Sequence, residues 1–181
     1  MLLALVLITL TVSTGAQVPQ VIPVNQTMAF QKNAVDGTRP VNGNGTLTVV
    51  SVTPRFAPAD GLKDFENPAS RRGQFVRVEV TIANTGKVPL TMLTPDLYLK
   101  TAGGTRIGRT SDLLSRRVPD VLTGTKTLAP GESVGGALYY DIGVDEALDQ
   151  LRLALAVQVL NDKRMMIKRD FEVPLAPAGG R

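Results

Sequence analysis

The side chains best suited to chemistry are arginines in the middle of the chain. A planar guanidinium group binds a phosphate or carboxylate through two parallel hydrogen bonds, so clustered arginines are candidates for gripping an anionic ligand. The same residues could instead be solvated charges that protect loops and edge strands from aggregation. The candidate ligand-binding residues are Arg106, Arg109, Arg116 and Arg117, with Arg71 and Arg72 elsewhere in the chain.

Carboxylates provide the other candidate site, because the chain contains neither Cys nor His. That inventory excludes thiol nucleophiles, disulfides, zinc sites built from Cys or His, and the Ser-His-Asp triad. Asp60, Asp64 and Glu66 lie in a loop of the kind that binds Ca²⁺, yet their spacing does not match an EF-hand. We therefore predict no metal site, no cofactor and no enzymatic activity. An exported hydrolase using a carboxylate pair remains the alternative.

The overall charge is mildly basic. Twenty Lys and Arg against sixteen Asp and Glu give a net charge of +4, and both signs are interleaved along the chain. Proteins that bind nucleic acid usually concentrate positive charge on one face, and those that bind single strands stack bases on aromatic rings. With only five Phe, three Tyr and no Trp, we predict no nucleic-acid partner.

Residues 1–16 have the pattern of a signal peptide. An apolar run from Leu2 to Val12 is interrupted only by Thr9 and Thr11, and small residues follow it up to Ala16. The run is shorter than the ~20 apolar residues of a membrane span. We predict cleavage after Ala16, a secreted or periplasmic location and no stable membrane anchor afterwards. The alternative interpretation is that this run forms a buried strand or an uncleaved N-terminal anchor.

Hydrophobic periodicity divides the remaining chain. Residues 17–45 are rich in Pro, Asn, Gln, Gly and Thr and predict a linker or flexible N-terminal arm, in which 21–24 and 27–30 could still add an edge strand. Residues 46–174 contain repeated two-residue alternation, clearest at 76–82 and at 151–159, between turns rich in Pro and Gly. Residues 175–181 predict a flexible tail. Five to seven strands with little helix indicate an antiparallel sandwich or small barrel, and we predict the β-sandwich.

Two of these stretches, Gly73–Gly86 and Leu128–Ile142, together resemble a bacterial extracellular immunoglobulin-like family of unassigned function. That family is similar to the mycobacterial immunoprotective extracellular antigen. The resemblance spans roughly residues 46 to 173 and implies an immunoglobulin-like fold and an extracellular location, but no catalytic residue. The chain departs from the lipid-anchored members, because it has no Cys for acylation.

Taken together, these observations predict an exported, non-catalytic binding or envelope-interaction module. Its expected partner is an envelope protein or an anionic envelope polymer. A purely structural accessory domain is the further alternative.

Overall fold

The fold is known from a computed structural model, which describes residues 20–56, 72–110 and 120–176. Within these ranges the chain forms ten β-strands and two single 3₁₀ turns. The strands are β1 (Ile22–Asp36), β2 (Arg39–Thr53), β3 (Gly73–Asn84), β4 (Leu90–Leu93), β5 (Leu97–Lys100), β6 (Arg106–Ile107), β7 (Thr125–Leu128), β8 (Ser133–Gly143), β9 (Arg152–Leu160) and β10 (Met166–Pro174).

The strands form two four-stranded sheets and one ribbon. Sheet I has the order β1-β2-β3-β8, sheet II has the order β10-β9-β5-β6, and β4 pairs with β7. Every strand ladder is antiparallel, and a single parallel bridge joins Val121 to Ala137 at the outer edge of β8. The prediction of an all-β, antiparallel sandwich is confirmed.

The core lies between the two sheets and follows the two-residue rhythm of the sequence. Val78 of β3 and Leu155 of β9 are both 0% exposed, and their neighbours at alternate positions are buried as well. Burying one such aliphatic side chain contributes about 1.5–3 kcal/mol. Aliphatic burial from both sheets therefore holds the sandwich together without any disulfide.

The N-terminal segment differs from the prediction of a linker or flexible arm over residues 17–45. Residues 22–36 form β1 and residues 39–45 the first half of β2, and the two strands pair with each other except at a bulge over residues 24–25. Val24, Phe30 and Ala34 of β1 are buried, and the Phe30 ring lies 6.3 Å from the ring of Phe171 in β10. These buried residues lie at alternate positions, but the polar side chains of Gln26 and Lys32 occupy intervening positions of the same face and weaken the pattern in the sequence.

A 3₁₀ turn over Leu148–Gln150 precedes β9, and Ala147 takes its N-cap position. The turn makes no side-chain cap hydrogen bond. The Leu148 carbonyl accepts a hydrogen bond from the N–H of Leu151, and β9 begins at the next residue.

Candidate functional site

The candidate site begins at an open edge of β9. The ladder between β5 and β9 ends where Leu97 pairs with Leu155, although β9 continues to Leu160. Odd-numbered positions at both ends of β9 bond toward β10, since Leu151 accepts from Leu175 and Asn161 donates to Met165. Backbone groups of an antiparallel strand alternate between its two sides. The N–H and C=O of Gln158 therefore point to the side where β9 has no ladder partner.

Asn42 of β2 closes the far end of this edge. Its Nδ2 donates to the Leu160 carbonyl at 2.9 Å, and its Oδ1 accepts from the Leu160 N–H at 2.8 Å. One side chain thus imitates the next strand of sheet II and joins the two sheets. The unpaired edge is confined to the short stretch between Leu155 and Leu160.

Asn33 of β1 stands beside Asn42, because the two residues are cross-strand partners in sheet I. Cross-strand partners project their side chains from the same face of a sheet. The Oδ1 atom of Asn33 is buried but accepts no hydrogen bond from any described residue. A buried acceptor without a donor costs about 1–3 kcal/mol, so this atom is a place where a bound donor would be stabilised.

A groove of about 490 Å³ lies along this edge and opens onto the outer face of sheet II. Its volume is within the range of small-molecule sites. The floor is formed by β9, where the side chain of Ala156 is small, and Leu93 adds an apolar wall that is 42% exposed. Asn33 and Gln158 supply polar groups.

Two ion pairs flank the groove. Lys32 Nζ lies 3.3 Å from Asp96 Oδ2, and Arg106 Nη2 lies 3.1 Å from Asp170 Oδ2. Lys168 also lines the groove, and it forms no ion pair with a described residue. The groove therefore carries three cations and two carboxylates, which gives it one uncompensated positive charge.

Arg106, which lines the groove, is held over an aromatic ring. Its guanidinium carbon lies 4.4 Å from the centroid of Tyr98, a distance typical of a cation–π contact. The Tyr98 side chain is 5% exposed, and its hydroxyl lies close to the Asp170 carboxylate. Burial, followed by the neighbouring Asp170 carboxylate, raises the pKa of Tyr98 to about 12.

The ion pairs across sheet II explain why β9 presents alanine there. Lys100 Nζ of β5 lies 2.6 Å from Glu172 Oε1 of β10, and Arg106 reaches Asp170 in the same direction. Both contacts pass over β9, whose side chains on that face include Ala154 and Ala156. Larger side chains at these two positions would block the bridging residues and fill the groove.

The predicted arginine residues do not share one environment. Arg106 lines the groove, whereas Arg109 is half-buried beside β8 and donates from Nη1 to the Leu122 carbonyl at 3.0 Å. Arg72 is exposed, and its backbone N–H donates to Asp141 Oδ1 at 3.2 Å. Arg71, Arg116 and Arg117 lie outside the described residues.

The acidic residues considered for calcium, Asp60, Asp64 and Glu66, also lie outside the described residues, as does the predicted signal peptide. In the part of the chain that the structure describes, no group of three or more Asp or Glu is arranged to hold a metal ion. Over the same part, no helix has the length and apolarity required to cross a membrane.

Sequence reasoning identified Arg106 but missed the rest of the groove. Lys32 and Asn33 fall in the segment predicted to be an arm, and Ala156, Gln158 and Lys168 look like ordinary strand positions. Asn33 and Asn42 give only a weak local signal, because asparagine is depleted from strands but Asn25 and Asn44 lie in the same two strands.

Solved structures resemble the chain at low sequence identity. The yjhA protein from Bacillus subtilis superposes with a TM-score of 0.53 at 16% identity, covering 83% of this chain and 98% of its own. A functionally unknown protein from Listeria monocytogenes EGD-e gives a TM-score of 0.49 at 10% identity, covering 86% of this chain and 90% of its own. The first likeness supports the fold alone. Among curated proteins, none matches the chain.

A family model matches residues 28–163, a range that runs from β1 through β9 and includes the open edge at Gln158. This range is well over half of the chain. The chain therefore belongs to the family described as "Domain of unknown function (DUF4352)".

Proposed function

We propose that this protein is an exported, non-catalytic binding module of the bacterial cell envelope, and that it holds its ligand in the groove beside β9. The groove is the observation that carries the proposal. It combines an unpaired strand edge, a buried acceptor at Asn33 Oδ1 and a surplus positive charge in one concave surface. Polar groups left unsatisfied by the fold are typical of surfaces that bind something.

Export is supported by the apolar run of residues 2–12 and the small residues that follow it. The similarity to the mycobacterial immunoprotective extracellular antigen is part of the same proposal, because it too implies an immunoglobulin-like module outside the cell. Expression in a bacterial host, followed by N-terminal sequencing of the exported material, tests this part. A mature chain starting at Gln17 is expected, and an intact Met1 would contradict it.

Binding is tested by affinity capture from bacterial envelope extracts. We expect the wild-type protein to capture a specific partner and the Ala156→Arg variant, which fills the groove, to lose it. Thr125→Arg adds the same side chain to an exposed position of β7 and serves as the matched control. If Ala156→Arg does not fold, Gln158→Arg places the same charge at an exposed groove position.

The outcomes separate the functional classes. Capture that is lost only in the groove variants supports the proposal. Capture that is equal in all variants would place binding elsewhere on the molecule, and no capture at all would favour a structural accessory domain. Turnover of envelope polymers by the purified protein would instead support the exported hydrolase.

A further inference from the structure

We propose that the groove ligand is a short, extended peptide segment of a partner protein that carries a carboxylate and pairs with β9 at Gln158. This inference rests on the proposed function and names the chemical class of its ligand. It combines three properties of the groove, namely the direction of free backbone groups, the position of an unused acceptor and the sign of the uncompensated charge.

The free backbone groups of β9 indicate that the ligand is an extended peptide. Strand edges with free N–H and C=O groups bind peptides by adding a strand, and the main chain supplies the hydrogen bonds. The ladder of β5 stops opposite Leu155, and the Asn42 side chain binds both backbone groups of Leu160. Between these two residues, Gln158 offers one N–H and one C=O. This is room for one paired residue of a peptide.

Asn33 argues for a donor on that peptide. Its Oδ1 is buried beside the open edge and accepts no hydrogen bond from a described residue, whereas the neighbouring Asn42 uses both side-chain atoms. Once the half-buried Asn33 side chain turns into the groove, a second peptide N–H or an amide side chain would satisfy its acceptor. The fold itself provides no donor for it within the described residues.

The uncompensated positive charge of the groove indicates that the ligand carries a carboxylate. Lys32 and Arg106 are neutralised by Asp96 and Asp170, while Lys168 is exposed and has no acidic partner in the described part of the chain. Lys168 is the cross-strand partner of Gln158 on β10, so its ammonium group belongs to the same register. A ligand carboxylate near Lys168 would complete the third ion pair.

The probes are four tripeptides titrated into the ¹⁵N-labelled full chain, with amide signals followed by NMR. They are Val-Glu-Val, Val-Gln-Val and Val-Lys-Val with both ends blocked, and Val-Gln-Val with a free carboxyl end. We expect the two carboxylate-bearing peptides to shift the Gln158 amide with a dissociation constant on the order of 1 mM, and the neutral and basic peptides to bind at least about fivefold more weakly. Whichever carboxylate peptide binds better shows whether a side chain or a chain end is recognised.

Two comparisons test the geometry and the charge separately. Methylating the central amide nitrogen of Val-Glu-Val removes one backbone donor and is expected to weaken binding at least about fivefold. Lys168→Glu should weaken Val-Glu-Val by a similar factor, while Lys163→Glu, an equal charge change in the exposed β9–β10 turn, should alter it less than about twofold.

Several results would overturn the inference. Equal binding of all four peptides, an unchanged Gln158 amide, full binding of the methylated peptide or equal effects of the two lysine variants would each do so. These failures are distinguishable from failure of the proposed function. A protein that still captures an envelope partner through the groove but ignores these peptides remains a binding module with a different ligand.

Discussion

Replacing Asn42 by Ala removes the side chain that joins β2 to the end of β9. Both bonds to Leu160 are lost, one at 2.9 Å from Asn42 Nδ2 and one at 2.8 Å to Asn42 Oδ1. Leu160 is only partly exposed, so water replaces these bonds incompletely. Each bond contributes about 0.5–1.5 kcal/mol, and the loss of the pair should lower the free energy of unfolding by about 1–3 kcal/mol.

For a domain of this size, this loss corresponds to a melting temperature lower by about 3–9 °C. Urea unfolding followed by far-UV circular dichroism measures the change, with the free energy extrapolated to zero denaturant. Asn42→Asp keeps the acceptor for the Leu160 N–H and loses the donor to its carbonyl. We expect this variant to lie between wild type and Asn42→Ala.

Asn33→Ala is the matched control, because it removes the same group from the cross-strand partner. Asn33 Oδ1 has no hydrogen bond to lose in the described structure. Because the variant removes an unpaired buried acceptor, it should be at least as stable as wild type, with a gain of up to about 1–3 kcal/mol. Equal destabilisation by Asn33→Ala and Asn42→Ala would refute the assignment of the two asparagines to different roles.

Three further predictions concern the core and the tyrosines. Asn84 is 1% exposed and forms hydrogen bonds with three backbone groups around the turn that follows β3. Asn84→Ala should lower the free energy of unfolding in urea by about 2–4 kcal/mol. A decrease under about 1 kcal/mol would contradict that role. Val78→Ala should cost about 2–3 kcal/mol by the same assay, whereas a loss below 0.5 kcal/mol would mean that the sheets do not close over this position. Burial chiefly raises the pKa of Tyr98 to about 12 and raises that of Tyr139 and Tyr140, and these are the three tyrosines of the chain. A tyrosine whose pKa is higher in the folded than in the unfolded protein stabilises the fold at pH values below its unfolded pKa of ~10. This stabilisation is lost as the pH rises through the folded pKa, so the free energy of unfolding should fall above pH ~10. Phenolate absorbance near pH 10 should be low in the folded protein and about half-developed in urea, and equal absorbance would contradict the burial.

Much of the sandwich could be predicted because burial on one face leaves a two-residue trace in the sequence. Val78 and Leu155 lie in segments whose odd or even positions are consistently apolar, and both are fully buried. β1 leaves a weaker trace. Val24 and Phe30 lie on the same buried face, but polar Gln26 and Lys32 share that face. The strand also pairs along its backbone with β2, which composition does not reveal.

The groove could not be predicted for a different reason. It depends on where the β5 ladder stops and on Asn42 meeting Leu160, a contact between residues 118 positions apart. Arg106 and Arg109 are close in the sequence but separate in the fold. β6 ends at Ile107, and the chain then crosses to sheet I, where Arg109 bridges to Tyr140. The closeness of Arg106 and Arg109 in the sequence therefore wrongly suggested that they share one site.

Amide hydrogen exchange along β9 tests the open edge, on which both the binding module and its peptide ligand depend. Val157 and Val159 pair with β10, and the Leu160 N–H is bonded to Asn42, so these three amides should exchange slowly. The Gln158 amide of the unliganded protein should exchange at least about tenfold faster than its neighbours. Protection of Gln158 equal to that of Val157 and Val159 would mean that the edge is closed, and would contradict the account.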